Sequence, residues 1–295
     1  MKQLEEIMFS QLFEDSRTLS MDNVIVLNDN IKTSFDLNGE SKLANDTPTR
    51  IGFSTIIVCV HGKLSIRLNL NDYELAENDV LILTPGTIGE HLHVTDDCRL
   101  CMLAFSEKVY NQPAKDNVSQ ALRNSLLKSP VILHLPPSYM EMTLGYYRQM
   151  RKLLSDASFK YMEEALRAHL TILSALFVQC LEQQARPRLT RPEIIFNRFL
   201  QEVREHYHES RAVAFYADRL CISSKYLSHI VKSVSGRQPT DWIHDYVLLN
   251  AKAMLKSGQY SVQQVGDKLN FPNPSFFGKF FKQHVGCTPG DYQKG

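Results

Sequence analysis

The chain has 295 residues, of which 43% are apolar and 22% charged, and its formal net charge is +1. This length and apolar content suffice for two domains with buried cores, and they exclude an intrinsically disordered chain. No apolar run approaches the roughly 18 residues that a membrane-spanning helix needs. Residues 1–16, MKQLEEIMFSQLFEDS, are amphipathic and acidic rather than signal-peptide-like, which predicts a cytoplasmic protein with no membrane partner.

The charge is unevenly distributed along the chain. Residues 193–295 carry 13 Lys and Arg against 9 Asp and Glu, a net charge of +4, whereas the remainder carries 20 against 23, a net charge of −3. A modestly basic C-terminal third is compatible with a module that binds nucleic acid.

The six cysteines are scattered, mostly within apolar segments, which predicts reduced and buried thiols rather than a disulfide framework. Cys98 and Cys101 have the spacing of a CxxC motif. However, Cys98 immediately precedes the alternating run RLCMLAF, and Cys101 lies within it. Residues three apart in a strand point to opposite faces, so we expect no redox or metal pair here.

Short alternating runs separated by turn residues extend from Met21 to Phe105. We predict a turn at His61–Gly62, the strand LSIRLNL, a turn at Asn71–Asp72 and the strand DVLILTP. Many short strands at this spacing predict a sandwich or a barrel. Residues 111–129 then have a helical pattern, and PVILHL at 130–135 predicts one more strand.

The period becomes helical from Pro137, and two long helices are predicted before residue 185. The second helix carries an apolar stripe at three- and four-residue steps, formed by Leu166, Leu170, Leu173, Leu176, Phe177 and Leu181. This stripe predicts packing against the β-domain, dimerisation as an antiparallel helix pair, or both. The segment ARPRLTRPE, residues 185–193, is rich in proline and arginine and predicts a domain boundary.

An internal repeat becomes visible when the C-terminal third is displaced by fifty residues. Ser223 then falls on Asn273, Tyr226 on Phe276, Leu227 on Phe277, His229 on Lys279, Lys232 on Lys282 and Gly236 on Gly286. Each copy has the pattern of a helix-turn-helix. Ser223 and Asn273 are favourable N-caps, Pro274 occupies the first helical position, and Gly236 and Gly286 fit the position that ends such helices.

Each repeated helix has an apolar face and a polar face at 3.6-residue periodicity. The apolar faces consist of Leu227, Ile230, Val231 and Val234 in the first copy and of Phe277, Phe280 and Phe281 in the second. A helix in the major groove needs short side chains for close approach, polar groups for base edges and Lys for phosphates. We therefore predict DNA contacts from Ser224, Lys225, Ser228, His229 and Lys232 in the first copy, and from Asn273, Pro274, Ser275, Gly278, Lys279 and Lys282 in the second.

The last hundred residues resemble the DNA-binding domain of the AraC/XylS family of bacterial transcription regulators. The residues that carry this resemblance are Val265, Gly266, Phe271, Ser275, Phe277, Phe281, Lys282, Gly286, Thr288 and Pro289. The resemblance implies two helix-turn-helix units joined by one long helix, here Pro239 to Ser257, with two recognition helices in successive major-groove segments. The chain departs from the family at His229 and Val247, where Arg is frequent, and at Asn270, where a turn Gly is frequent.

The N-terminal part resembles, more loosely, the cupin-like β-barrel sensor of the same family, through DVLILTPGTIGEHLH with Pro85 and Gly86. Glu90, His91 and His93 could suggest a metal site, because an HxH spacing places both imidazoles on one face of a regular strand. The upstream ligand set of a cupin is absent, and His61 is the other nearby candidate. We therefore predict ordinary barrel histidines, with no metal and no cofactor.

The predicted fold class is α+β: a cupin-like barrel at residues 1–136, a helical dimerisation segment at 137–186, a linker at 187–192 and an all-α double helix-turn-helix domain at 193–295. The predicted function is sequence-specific transcription regulation, without enzymatic chemistry, controlled by a small molecule or partner at the N-terminal domain. Expected partners are double-stranded promoter DNA, a second copy of the chain, an unidentified effector and RNA polymerase, since the resemblance implies activation more often than repression. Alternatives are a metal-dependent cupin enzyme fused to a DNA-binding tail, and a protein-interaction module with a helical scaffold.

Overall fold

The computed structural model describes residues 18–21, 25–29, 48–106, 130–156, 158–183 and 190–294. The chain forms two compact units, an N-terminal unit that includes Arg50–Ala185 and a C-terminal unit that includes Arg186–Gly295. The predictions for residues 1–16, for a helix within 111–129 and for linker residues 187–189 lie outside the described residues.

Ten strands are seen in the described part of the chain. They are β1 Thr18–Met21, β2 Ile25–Asn28, β3 Thr49–Arg50, β4 Ser54–His61, β5 Leu64–Leu68, β6 Asn71–Leu75, β7 Asp79–Leu83, β8 Ile88–Val94, β9 Arg99–Phe105 and β10 Val131–His134. One sheet has the order β1-β2-β9-β4-β7-β10 and the other β3-β8-β5-β6. Neighbours within the larger sheet pair antiparallel throughout, as do β5 with β6 and β5 with β8.

Nine helices follow the strands in the described residues. They are α1 Pro137–Leu154, α2 Met162–Gln183, α3 Arg191–His206, α4 Val213–Arg219, α5 Ser224–Ser235, α6 Pro239–Lys256, α7 Val262–Lys268, α8 Pro274–Val285 and α9 Pro289–Lys294. The antiparallel sheets come first in the chain and the helical C-terminal unit comes last, which confirms the α+β class.

The larger sheet is buried on both faces, which explains the continuous apolar run in β4. Ile57 of β4 belongs to a core shared with Ile66 of β5, on the side of the smaller sheet. Ile56 and Val58 belong to a second core, shared with Phe177 of α2. Successive strand residues point to opposite faces, so a strand between two apolar layers must be apolar at every position. The N-terminal unit therefore has three layers: a helix pair, a six-stranded sheet and a four-stranded sheet.

The predicted stripe of α2 faces the sheet. Leu166, Leu170, Leu173, Phe177 and Leu181 are all buried in the core beneath the helices, which confirms packing against the β-domain. Length and composition alone would let α2 cross a membrane, because an 18-residue window of it has a mean hydropathy of 1.2. The sequence predicts no apolar run of about 18 residues, and the longest stretch of α2 without Asp, Glu, Lys or Arg, residues 168–181, is shorter than that. One such helix is weak evidence for a membrane segment, since a core helix has the same composition.

One of the two predicted turns is placed correctly and the other is not. Gly62 has φ 72°, as the predicted turn at His61–Gly62 requires. Asn71–Asp72 instead begins β6, and the chain reverses at Asn69 and Leu70, with φ 47° and 71°. Two-residue hairpins favour positive φ at both central residues. Pairing of Leu68 with Asn71 forces Leu70 into this conformation, which its side chain alone would not predict.

Candidate nucleic-acid interface

The two predicted helix-turn-helix units are α4 with α5 and α7 with α8, and α6 joins them in sequence. The amide of Tyr226 donates to Oγ of Ser223 at 3.2 Å, and the amide of Phe276 donates to Oδ1 of Asn273 at 3.1 Å. The recognition helices α5 and α8 then end at Gly236, with φ 73°, and at Gly286, with φ 92°. Both predicted N-caps and both predicted glycine stops are confirmed.

The turns inside the two units have the same backbone geometry. Cys221 and Asn270 both adopt φ 55°. The amide of Ile222 donates to the carbonyl of Ala217, and the amide of Phe271 donates to the carbonyl of Gly266, both at 3.0 Å. This confirms that Asn270 supports the turn in place of Gly, since Asn tolerates left-handed geometry. Cys221 occupies the equivalent position without that advantage.

The apolar faces of α5 and α8 form the cores of their units. Leu227, Ile230 and Val231 are buried in α5, whereas Phe277 and Phe281 in α8 are fully buried. The predicted faces are confirmed, although Val234 and Phe280 are only partly buried.

Val247 lies in the same core as Phe277 and Phe281 and is completely buried. A buried apolar side chain at this position offers no phosphate contact.

The polar faces are available to solvent. Lys225, His229 and Lys232 of α5 are exposed, and Ser224 and Ser228 are half-buried. In the second unit the exposed residues are Asn273, Pro274, Ser275, Lys279 and Lys282, and Gly278 is half-buried. The predicted residues of each unit thus lie on one face of its recognition helix, with Asn273 at the N-cap of α8.

Lys225, Lys232, Lys279 and Lys282 form no ion pair with any carboxylate in the described part of the chain. Lys282 is near enough to Asp291 to help lower the pKa of that carboxyl, but it makes no direct ion pair with it. The four lysines can therefore meet an external anion without first breaking an internal contact.

Arg211 is the principal residue of this region that sequence reasoning missed. Its guanidinium donates to the carbonyls of Leu269 and Asn270 at 2.7 and 2.9 Å and lies over the ring of Phe271. It precedes the first helix-turn-helix but stabilises the turn of the second. No local pattern predicts this contact, because its partners lie almost sixty residues away.

The histidines of β8 do not have the regular strand geometry that their spacing predicts. His91 has φ 52°, and the register with β5 shifts between Ser65 and Arg67, which marks a β-bulge. Side-chain alternation is interrupted at a bulge, so the spacing of His91 and His93 does not place both imidazoles on one face. No group of three or more His, Cys, Asp or Glu suited to a metal is found among the described residues.

Cys98 and Cys101 lie on opposite faces of the larger sheet, as predicted. Cys98 belongs to the core between the sheets, and Cys101 packs against the core beneath the helices. Burial raises the pKa of Cys101 to about 12, and burial, together with nearby Cys98, does the same for Cys59. Such thiols are protonated at neutral pH and are poor nucleophiles or metal ligands. Cys221 is an exception to the predicted burial, because it is exposed.

A family model described as "Helix-turn-helix domain" matches residues 216–295. The arabinose operon regulatory proteins of Salmonella typhimurium and Escherichia coli are each 26% identical to this chain over 96 residues. These alignments cover 32% of this chain and 34% and 33% of the two proteins. The C-terminal unit is an AraC-type helix-turn-helix domain.

Other relatives of the AraC-type unit extend further along the chain. The HTH-type transcriptional activator RhaS of Salmonella schwarzengrund is 22% identical over 165 residues, 54% of this chain and 58% of that protein. Among solved structures, that of ToxT from Vibrio cholerae O395 aligns with 84% of this chain. The alignment covers 91% of the ToxT chain, with 13% identity and a TM-score of 0.41. The DNA-binding domain of AdpA, solved with a target DNA, is 28% identical over 32% of this chain and 89% of its own, with a TM-score of 0.30. Both TM-scores lie below 0.5 and do not establish a common whole-chain fold.

Proposed function

We propose that this protein is a sequence-specific transcription regulator whose AraC-type unit binds double-stranded promoter DNA. The observation that carries the proposal is the pair of matched helices, α5 and α8. Each has a buried apolar face, a capped N-terminus and an open face with two lysines free of carboxylate partners. A single basic helix face is usually a solvated surface, but two with the same caps and turns indicate a repeated binding element.

The residues of each open face divide into two roles. Lys232 and Lys282 stand at equivalent positions in the last turns of their helices, and we assign them to phosphates. His229 and Lys279 stand one turn earlier on the exposed face, and we assign them to base edges in the major groove. The first-turn residues Ser224, Lys225, Asn273, Pro274 and Ser275, with Ser228 and Gly278, complete the proposed DNA surface.

The N-terminal unit is proposed to be the regulatory part of the chain. Its two facing sheets would form a cupin-like barrel, within residues 1–136, that senses a small molecule or a partner protein. The helices α1 and α2, within residues 137–186, are proposed to support homodimerisation, since α2 retains the exposed Ile172 on the side away from its core. Residues 187–192 would link this part to the DNA-binding domain at 193–295.

The proposal further includes a cytoplasmic location and activation of transcription through contact with RNA polymerase. It includes no enzymatic activity, and the regulatory names of the relatives support that choice over a metal-dependent cupin enzyme. The chain matches only about a third of the arabinose operon regulatory proteins, so their activity is not transferred to it.

In vitro selection from random duplex DNA, with the full chain at moderate salt, tests this function. We expect a motif of two elements about one helical turn, roughly 10 bp, apart. Affinity should fall steeply with salt concentration, because phosphate contacts release counterions. Failure to enrich any sequence, or binding that does not respond to salt, would reject DNA recognition and favour a protein-interaction module.

The DNA affinity of a variant at a lysine outside the proposed DNA surface provides the matched control. The Lys232→Ala/Lys282→Ala double variant should lose affinity for every duplex and show a shallower salt dependence. Lys63→Ala removes an exposed lysine of the N-terminal unit, which pairs with Glu74 at 3.1 Å. This second variant should bind DNA as the unmodified chain does.

A further inference from the structure

Two aromatic side chains on the recognition helices are exposed, although the other apolar side chains of these helices are buried or partly buried. The exposed fraction is 41% for Tyr226 and 59% for Phe276. Leu227 and Phe277, the next residue in each case, are fully buried. Tyr226 and Phe276 are therefore outside the cores that hold the two helix-turn-helix units together.

These two residues occupy the same position of the repeat. Each donates its amide to the N-cap side chain, so each is the third residue of its helix. The described residues of the C-terminal unit contain three exposed large apolar side chains, and the third is Ile194. Single exposed apolar residues are common. A pair at equivalent positions of a repeat suggests a shared role.

Tyr226 and Phe276 border the face assigned above to DNA. At about 100° per residue, each is displaced by about 60° from the nearest residue of that face, His229 or Lys279. Each also lies in the first turn of its helix, and the N-terminal residues of a recognition helix approach base edges most closely. The two rings would therefore enter the groove together with the polar residues already named.

We infer that Tyr226 and Phe276 are specificity-determining residues that each contact the C5-methyl group of a thymine in the major groove. This inference rests on the proposed DNA binding. The thymine methyl is the apolar group that base pairs present in the major groove, and apolar side chains recognise it by contact. Phe276 has no polar atom with which to read any other base feature. Contact with an apolar partner would remove its large exposed surface from water.

The alternative site for an aromatic ring is the sugar-phosphate backbone, and it makes a different prediction. A ring against deoxyribose stabilises every sequence to the same extent, whereas a ring against a methyl group distinguishes thymine from other bases. Deoxyuridine lacks only this methyl group and keeps the same hydrogen-bonding edge. Replacing thymidine by deoxyuridine therefore isolates the proposed contact.

The experiment uses the full chain and the duplex obtained by selection, with each thymidine replaced in turn by deoxyuridine. We expect one position in each element where the replacement weakens binding about fourfold, the factor that corresponds to burial of one methyl group. In the Phe276→Ala variant, the deoxyuridine replacement in the second element should not weaken binding further. The replacement in the first element should weaken it as it does for the unmodified chain. Tyr226→Ala should show the reverse pattern, and Phe276→Leu should retain part of the response.

Ile194→Ala is the matched control, because it removes an exposed apolar side chain of the same unit outside the repeat. It should leave both deoxyuridine responses unchanged. The inference is overturned if binding is sequence-specific but no thymidine responds, or if Phe276→Ala and the unmodified chain respond alike. Absence of sequence-specific binding by the unmodified chain would overturn the proposed function as well, so the two failures are distinct.

Discussion

The guanidinium carbon of Arg211 lies 4.1 Å from the ring centre of Phe271. The same guanidinium donates to the carbonyls of Leu269 and Asn270, and the side-chain amide of Asn270 donates to the carbonyl of Glu209 at 2.8 Å. The loop that precedes the first helix-turn-helix is thereby joined to the turn of the second. The two repeated units of the C-terminal unit therefore share a structural element besides the helix α6.

Arg211→Ala should destabilise the C-terminal unit by about 2–3 kcal/mol, because hydrogen bonds to a charged group are lost together with the ring contact. Trp242 is the one tryptophan of the chain and lies in this unit, so urea unfolding followed by its fluorescence reports the change. Arg219→Ala is the control. Arg219 pairs with Glu202 at the surface, and its loss should cost less than about 1 kcal/mol. Equal effects of the two substitutions would contradict a special role for Arg211.

Phe281→Ala and Phe276→Ala form a matched pair within α8. Phe281 is completely buried, and its truncation should destabilise the unit by about 3–5 kcal/mol through loss of burial and creation of a cavity. Phe276 is 59% exposed, so its truncation should change stability by less than about 0.5 kcal/mol. The same fluorescence measurement compares them. Similar losses would mean that the ring of Phe276 is part of the core.

Cys221→Gly should stabilise the first helix-turn-helix by about 0.5–1 kcal/mol, because Cys221 adopts φ 55° and glycine accepts this conformation without strain. Asn270→Gly is the informative comparison at the equivalent position. Asn270 has the same φ but also donates to the carbonyl of Glu209. Its replacement should therefore be neutral or destabilising. A loss of stability for Cys221→Gly would show that the thiol makes a compensating contact.

The stability of the C-terminal unit should decrease on acidification because of His244. Burial, then the neighbouring His284 and Arg211, lowers the pKa of His244 below its ordinary value of 6.5, against the opposing effect of Asp241 and Asp245. Between the folded and unfolded pKa values the unfolded state binds more protons, so stability falls as pH decreases through about 6.5 and below. The loss ends once the pH is below the folded pKa.

His244→Phe tests this pH dependence. The substitution keeps an aromatic ring beside Phe280 and His284, whose centres lie 5.2 and 5.3 Å from that of His244, but it removes the titrating group. Urea midpoints between pH 8 and pH 5 should therefore vary less in the variant than in the unmodified chain. Parallel curves for the two proteins would assign the acid sensitivity to other groups.

Substitutions at the centre of the recognition helices should change sequence preference rather than overall affinity. His229→Ala and Lys279→Ala should each alter the free energy of binding by about 1–3 kcal/mol at particular base pairs. Lys232→Ala and Lys282→Ala should weaken binding to all sequences alike. Competition assays with single-base variants of the selected duplex separate the two classes. Uniform losses for His229→Ala and Lys279→Ala would refute the assignment to base edges.

The local features of the C-terminal unit were predictable from the sequence. Ser223, Asn273, Gly236 and Gly286 act within one or two helical turns of their own position, so their chemistry alone indicates where α5 and α8 begin and end. Features of the sheets were less predictable. The bulge at His91 and the turn at Asn69 and Leu70 depend on how neighbouring strands pair, and pairing is a property of the whole sheet.

The sequence by itself determined the elements whose physics is local: the helical period, the caps, the repeat, and the apolar and polar faces of the recognition helices. Only the tertiary structure decided which surfaces meet. It buried α2 against the larger sheet, placed Arg211 on the second turn and left the ring of Phe276 in solvent beside the buried ring of Phe277. The reason is that burial and long-range hydrogen bonds depend on residues far apart in the chain, which a local pattern of residue types does not contain.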